Sequence, residues 1–200
     1  MPKLFFKEVS SFGIGELSLF MQIIKNRIVL ITVILAATFL LQGKAFSDEA
    51  EEHFQKGHRF YLGSKSAEAE AEFKKALELN PKLSDAHYYL GSIYFKQERY
   101  SEAVKQCEQA LRINNKDLKS LIIMGLSLQQ LGLLEEAIEK FQKAETVDSQ
   151  SAAVHSALGL AYCVKGDVEK AKGEYEILKE IGPELAEDLL ERIRPLLIKE

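Results

Sequence analysis

Gly57, Gly91, Gly125 and Gly159 stand 34 residues apart, and no other feature of the chain restricts its fold as much. Ala69, Ala103, Ala137 and Ala171 keep the same interval, each twelve residues after a glycine. Ala76, Ala110 and Ala144 keep it again, with Leu178 in the fourth unit. Within one period, His87, Leu90, Gly91 and Tyr94 precede Ala103, Cys107 and Ala110, which reads as two short helices folded against each other. Alanine, leucine, glutamate and lysine dominate after Ser47, there are only four prolines and there is no tryptophan, so propensity also favours helix. A unit of this size cannot bury its apolar face alone and is stable only when stacked on its neighbours.

The pattern resembles the tetratricopeptide repeat. The second unit carries LGSIY from Leu90 to Tyr94, and the first has Gly57, Phe60, Ala69, Phe73, Ala76 and Pro81. The third has Gly125, Leu128, Ala137, Phe141 and Ala144, and the fourth Gly159, Tyr162, Ala171, Tyr175 and Pro183. Departures are Lys56 for the usual leucine, Cys107 for phenylalanine, and Asn115 and Ser149 for the closing proline. The resemblance implies an all-α, right-handed solenoid of four helix-turn-helix pairs, over 50–83, 84–117, 118–151 and 152–185, with a capping helix and tail over 184–200. Glycine and alanine let two backbones approach, and the aromatic positions fill the space around them.

Turn chemistry agrees with that division. Asn80-Pro81, Asn114-Asn115 and Gly182-Pro183 read as breaks between units, and Gly63-Ser64, Glu98-Arg99, Gly132 and Gly166-Asp167 as bends within them. After Pro183, Leu185, Leu189, Leu190 and Ile193 share one helical face, as a solenoid cap requires. Pro195 is expected to stop or kink that helix, leaving Leu196 to Ile198 to fold back or hang free.

Ahead of the repeats, Ile28 to Leu41 carries no charge and is flanked by Lys25 and Arg27 on one side and by Gly43, Lys44 and Ala45 on the other. A basic stretch, a short apolar core and small residues before Phe46 form the layout of a secretory signal, here over 21–45. Export to a bacterial periplasm follows, and the alternative is anchoring to the inner membrane by Ile28 to Leu41. Residues 1–20 read as a dispensable extension ahead of a start at Met21; Gly13 and Gly15 in it lack the strand and helix of a dinucleotide site. Five of the 26 basic residues and two of the 30 acidic ones precede Ala45, which leaves 21 and 28, a net charge of −7. That balance argues against nucleic acid as partner.

The resemblance also implies where function sits. In this family the first helix of each pair lines a concave groove, and the matching positions here are Phe54, His58, Tyr61, Tyr88, Ser92, Phe95, Lys96, Lys119, Ile122, Leu126, Gln129 and Leu160, with Glu51, Asp85, Ser156 and Cys163 beside them. Either these rings pack between adjacent units, or they form an apolar trough for a helix or extended segment of another protein. The lysine and asparagine clamp by which chaperone-adaptor members hold a terminal carboxylate is not matched: Phe54 and His58 occupy two of its positions, and only Lys119 corresponds.

His53, His87 and His155 share one repeat position, which points to structural duty, since neighbouring rungs cannot bring them together on a metal. Cys107 and Cys163 fall at different repeat positions, too far apart for a disulfide, and are expected as reduced thiols. No P-loop, HExxH, GxSxG or metal-spaced Cys/His set is present, so the expectation is a non-enzymatic scaffold or adaptor without cofactor or metal. Two rivals remain: a membrane-tethered scaffold that associates with itself, and an accessory part of an active site using Cys163 or His58.

Overall fold

The computed structural model describes residues 14–197. Expectations about residues 1–13 and about Ile198 onward therefore lie outside the described residues. The chain divides into two compact units, one ending at Asp48 and one beginning at Glu49. Among the described residues there are nine helices and no strand. They are α1 (Ile14–Leu62), α2 (Ser66–Leu79), α3 (Ser84–Lys96), α4 (Tyr100–Ile113), α5 (Leu118–Gln130), α6 (Leu134–Val147), α7 (Ala152–Lys165), α8 (Val168–Ile181) and α9 (Pro183–Leu197).

In the first unit, Met21–Thr38 has a mean hydropathy of 1.5 and is unburied, so by length and composition this stretch can cross a membrane. Its two threonines turn their hydroxyls back onto the helix, Thr32 to the Val29 carbonyl at 2.8 Å and Thr38 to the Leu35 carbonyl at 2.9 Å. Both hydroxyls are thereby satisfied without water, as an apolar surrounding demands.

The second unit is an α-solenoid. Pairing begins with the end of α1 against α2 and continues as α3 with α4, α5 with α6 and α7 with α8, capped by α9. The repeated alanines Ala69, Ala103, Ala137 and Ala171 are all fully buried, as are Ala76, Ala110, Ala144 and Leu178. Close approach shows in the third pair, where a methyl group at Gly125 would run into the Phe141 ring. At Gly91 the equivalent neighbour is the smaller Cys107, whose Sγ would lie 2.8 Å from an added Cβ. The fourth pair differs from the repeat pattern. Gly159 faces Leu189 of the cap and Glu174, while Tyr175, which the periodicity puts there, is only half-buried.

In the second and fourth pairs the aromatic three residues after the glycine joins the pair to the previous one. Tyr94 donates to Glu70 of α2 at 3.1 Å, and the Tyr162 hydroxyl accepts from Gln142 of α6 at 3.1 Å. Breaks between pairs are Asx turns: Asn80, Asn114 and Asp148 accept the backbone N–H of Lys82, Lys116 and Gln150 at 3.0–3.2 Å. Bends within pairs put Ser64, Glu98, Gly132 and Gly166 in the left-handed region, with φ of 57°, 61°, 79° and 80°. Two of these four equivalent positions thus hold a side chain where glycine costs least.

Pro195 does not stop the last helix within the described residues: α9 runs through it to Leu197, and Leu196 packs on the core, the folded-back course of the two expected. A proline this near a C-terminus removes only one backbone hydrogen bond, and the apolar face of Ala186, Leu189 and Ile193 holds the helix in place.

Candidate functional site

Along the solenoid, and among the described residues, α3 touches α5 and α5 touches α7 more closely than the second helices of successive pairs touch one another. The first-helix side is therefore the inner side of the curve. Its surface is built differently at its two ends.

At the N-terminal end the inner side is aromatic, and its hub is Tyr89, which the repeat positions did not single out. The Tyr89 ring centroid lies 6.0 Å from Phe54, 5.1 Å from His58, 5.0 Å from Tyr61, 4.9 Å from Tyr88 and 5.2 Å from Phe73, on which it stacks. His58 in turn lies parallel to Phe54 at 6.3 Å. Phe54, His58, Tyr61 and Tyr88 are each half-buried: one side packs against the neighbouring pair and the other faces out. The packing reading thus holds for one face of each ring. Phe95 stands apart, half-buried and tilted against Tyr100 at 5.7 Å.

Beside this cluster a polar triplet joins α1 to α3. Tyr61 Oη is 2.8 Å from the buried Ser92 Oγ, and Lys96 Nζ donates to Tyr61 Oη at 3.0 Å while lying 4.4 Å from that ring's centroid. Burial pushes the Tyr61 phenol up, but the hydrogen bonds from Ser92 and Lys96 and the lysine's charge outweigh it and hold the group below its ordinary value. Tyr88 lacks such support: burial first, then its neighbours Tyr61, Tyr89 and Asp117, push it up to about 12. Lys119 is exposed and sits 5.7 Å from the Tyr88 ring.

Toward the C-terminal end the lining turns aliphatic. Ile122, Leu126 and Leu160 are half-buried against the core, and Gln129 is half-buried beside them. Ser156 and Leu160 then meet Asp188, Leu189, Glu191 and Arg192 of the cap around a cavity of about 270 Å³. The cap thus adds charged residues to this face, and no repeat spacing could have located them. Cys163 is half-buried, and burial raises its thiol despite the nearby Arg192. Cys107, fully buried, is pushed up to about 12 by burial and by Asp117 and Glu108.

The repeated histidines lie on another face and acquire partners 19 residues on. His53 Nδ1 meets Glu72 at 2.6 Å, His87 Nδ1 meets Gln106 at 2.8 Å, and His155 Nδ1 meets Glu174 at 2.7 Å. Nε2 of His87 and of His155 faces the backbone carbonyl of Pro81 at 3.2 Å and of Ser149 at 3.0 Å. Each histidine thus ties the two helices of its pair, and His87 and His155 also hold the loop before them. His53, Lys56 and Lys75 surround the buried Glu72 carboxylate, which the His53 hydrogen bond, outweighing burial, and the two lysines hold at about 2. In the third pair Leu121 and Lys140 take these positions and, with Glu108, Leu111, Arg112, Met124 and Lys143, line a shallow cavity of about 330 Å³. Among the described residues no group of three or more His, Cys, Asp or Glu side chains gathers as a metal site would.

Comparison with known proteins follows the same lines. The family model described as "TPR repeat" matches residues 125–166, and that of anaphase-promoting complex, cyclosome, subunit 3 matches 65–144. No curated protein matches the sequence. A MamA RS-1 double mutant superposes with a TM-score of 0.63 at 26% identity, over 66% of this chain and 75% of that one. YrrB, described as a TPR protein with an unusual peptide-binding site, gives 0.61 at 20% identity over 77% and 93%. The first TPR of Spaghetti (RPAP3), solved with the HSP90 peptide SRMEEVD, gives 0.56 at 21% identity over 57% and 91%.

Proposed function

Because the chain is a tetratricopeptide-repeat protein, we propose that it is a non-catalytic adaptor whose inner face holds a helix or extended segment of another protein. The observation that carries this reading is the half-buried surface of Phe54, His58, Tyr61, Tyr88 and Tyr89, continued by Ile122, Leu126 and Leu160. Rings that are already immobilised on one side lose little freedom when a partner covers the other, which is what makes aromatic side chains effective anchors. That YrrB is described by its peptide-binding site and that the Spaghetti domain holds a peptide supports a polypeptide as the occupant.

We further propose that 21–45 carries the repeats across a bacterial inner membrane, as a cleaved signal or as a lasting anchor, with 1–20 dispensable and the solenoid in the periplasm. Supporting it are the apolar run Met21–Thr38 and the cations Lys25 and Arg27 near its start. Cell fractionation followed by N-terminal sequencing distinguishes the two fates: a mature chain beginning at Phe46 means cleavage.

For the face itself the test is Tyr88→Ala with Phe95→Ala. Capture of the partner by the full chain should fall about tenfold or more while helical content by circular dichroism stays nearly unchanged. Loss of folding would assign both rings to the core, and undiminished capture would move binding elsewhere. Sedimentation of the chain alone over a range of concentrations tests the rival occupant, a second copy, whose association would rise with concentration.

A further inference from the structure

The triplet Tyr61, Ser92 and Lys96 has more hydrogen-bond donors than the protein accepts. Two hydrogen bonds join its three groups. Whichever hydroxyl donates between Tyr61 and Ser92, one hydroxyl hydrogen and two ammonium hydrogens remain without an acceptor in the cluster. Lys96 is exposed, and among the described residues it has no carboxylate within ion-pair distance, unlike Lys56, Lys74, Lys75, Lys140, Lys165 and Lys170. It is held over an aromatic ring instead. Among the described residues neither Lys96 nor Ser92 donates to a backbone carbonyl.

Charge along α3 is polarised in the same sense. Asp85 occupies its first turn and acts on Tyr89, whereas Lys96 occupies its last. The carbonyl end of the helix there opposes an acidic group, so the attraction falls to the Lys96 ammonium alone.

From this excess of donors, resting on the proposed role of the inner face, we infer that Tyr61, Ser92 and Lys96 form a subsite for an aspartate or glutamate side chain of the bound segment, with a bulky apolar neighbour seated against Phe54, His58 and Tyr89. The carboxylate accepts from Lys96 and from the free hydroxyl hydrogen; the apolar neighbour covers the outer faces of the ring cluster. This differs from capture of a chain terminus, because the donors meet an oxygen anywhere along a segment. A single ammonium with one hydroxyl suits a monovalent carboxylate.

The probes are two blocked peptides, acetyl-LEELFLEEL-amide and acetyl-LQQLFLQQL-amide, titrated by calorimetry into the full chain in detergent, with NMR or cross-linking to locate them. The glutamate peptide should bind about tenfold more tightly than the glutamine peptide, and raising salt should narrow the gap. Lys96→Met should abolish the preference, Tyr61→Phe should reduce it, and Lys105→Met, an exposed lysine of α4, should leave it intact. Equal affinities for the two peptides at the inner face, or a preference that survives Lys96→Met, overturn the subsite and leave the groove reading standing. Binding that maps away from the inner face, or no binding of either peptide, overturns both.

Discussion

The first two helix pairs and the last two share one backbone plan and use it differently. In the N-terminal half the core of Phe73, Leu90, Ile93 and Tyr94 runs outward into Phe54, Tyr61 and Tyr89, so packing and the candidate binding surface share the same rings. In the C-terminal half a single core from Cys107 to Ile193 runs through three pairs and the cap, and the inner face is its aliphatic edge. Bends follow the same division, with Ser64 and Glu98 in the left-handed region on one side and Gly132 and Gly166 on the other. The C-terminal half is thus built for cohesion, while the N-terminal half accepts local cost and leaves aromatic rings partly uncovered.

The largest expected effect tests cohesion. Phe141→Ala removes a fully buried ring from the continuous core and should cost about 3–5 kcal/mol in denaturant unfolding, whereas Cys107→Ala, at the equivalent position, should cost about 1 kcal/mol. Similar costs would mean that the two halves are packed alike. Next comes the close approach: Gly125→Ala presses on the Phe141 ring and should destabilise by about 1–3 kcal/mol, with Gly91→Ala milder because it meets only Cys107 and the Ala103 carbonyl.

Smaller shifts are expected at the bends, and of opposite sign in the two halves. Ser64→Gly and Glu98→Gly relieve a left-handed side chain and should stabilise by about 1 kcal/mol each. Gly132→Ala and Gly166→Ala should destabilise by a similar amount, since open space around them leaves only the backbone penalty. Melting temperatures of the four variants settle the sign.

The last comparison is in pH. Glu72, held at about 2 against an ordinary 4.5, contributes stability that is full above 4.5 and is lost as pH falls toward 2. His155 behaves in the opposite sense. Burial lowers it, but the Ser149 carbonyl and the Glu174 carboxylate outweigh burial and raise it above 6.5. Its contribution is therefore present below 6.5 and fades as pH rises through the folded value. Glu174, raised mainly by burial, acts in the same direction. Amide exchange against pH should show the first pair loosening in acid and the fourth above neutrality; Glu72→Gln and His155→Leu should each flatten its own limb.

Much of the fold could be read in advance because helix packing admits only small residues where backbones meet, and that requirement repeats with each pair at Gly57, Gly91 and Gly125. The histidine contacts were also within reach: His53 with Glu72, His87 with Gln106 and His155 with Glu174 keep one 19-residue offset, which becomes visible when polar residues on the two helices are compared. Tyr89 was not, since Ile123 and Ala157 stand at its place in later pairs and no periodic signal marks it. Nor were Asp188 and Arg192, which belong to a helix outside the repeat.

What the residues determined unaided was the periodic part: the paired helices, their turns and the alanine and glycine seams, because each depends on neighbours within one 34-residue unit. Which ring faces which, how Lys96 comes to rest on Tyr61, and that the cap rather than Tyr175 meets Gly159 were decided only by the stacked structure. Those contacts cross from one unit to the next, where the small rotation between units, and no local spacing, sets the distances.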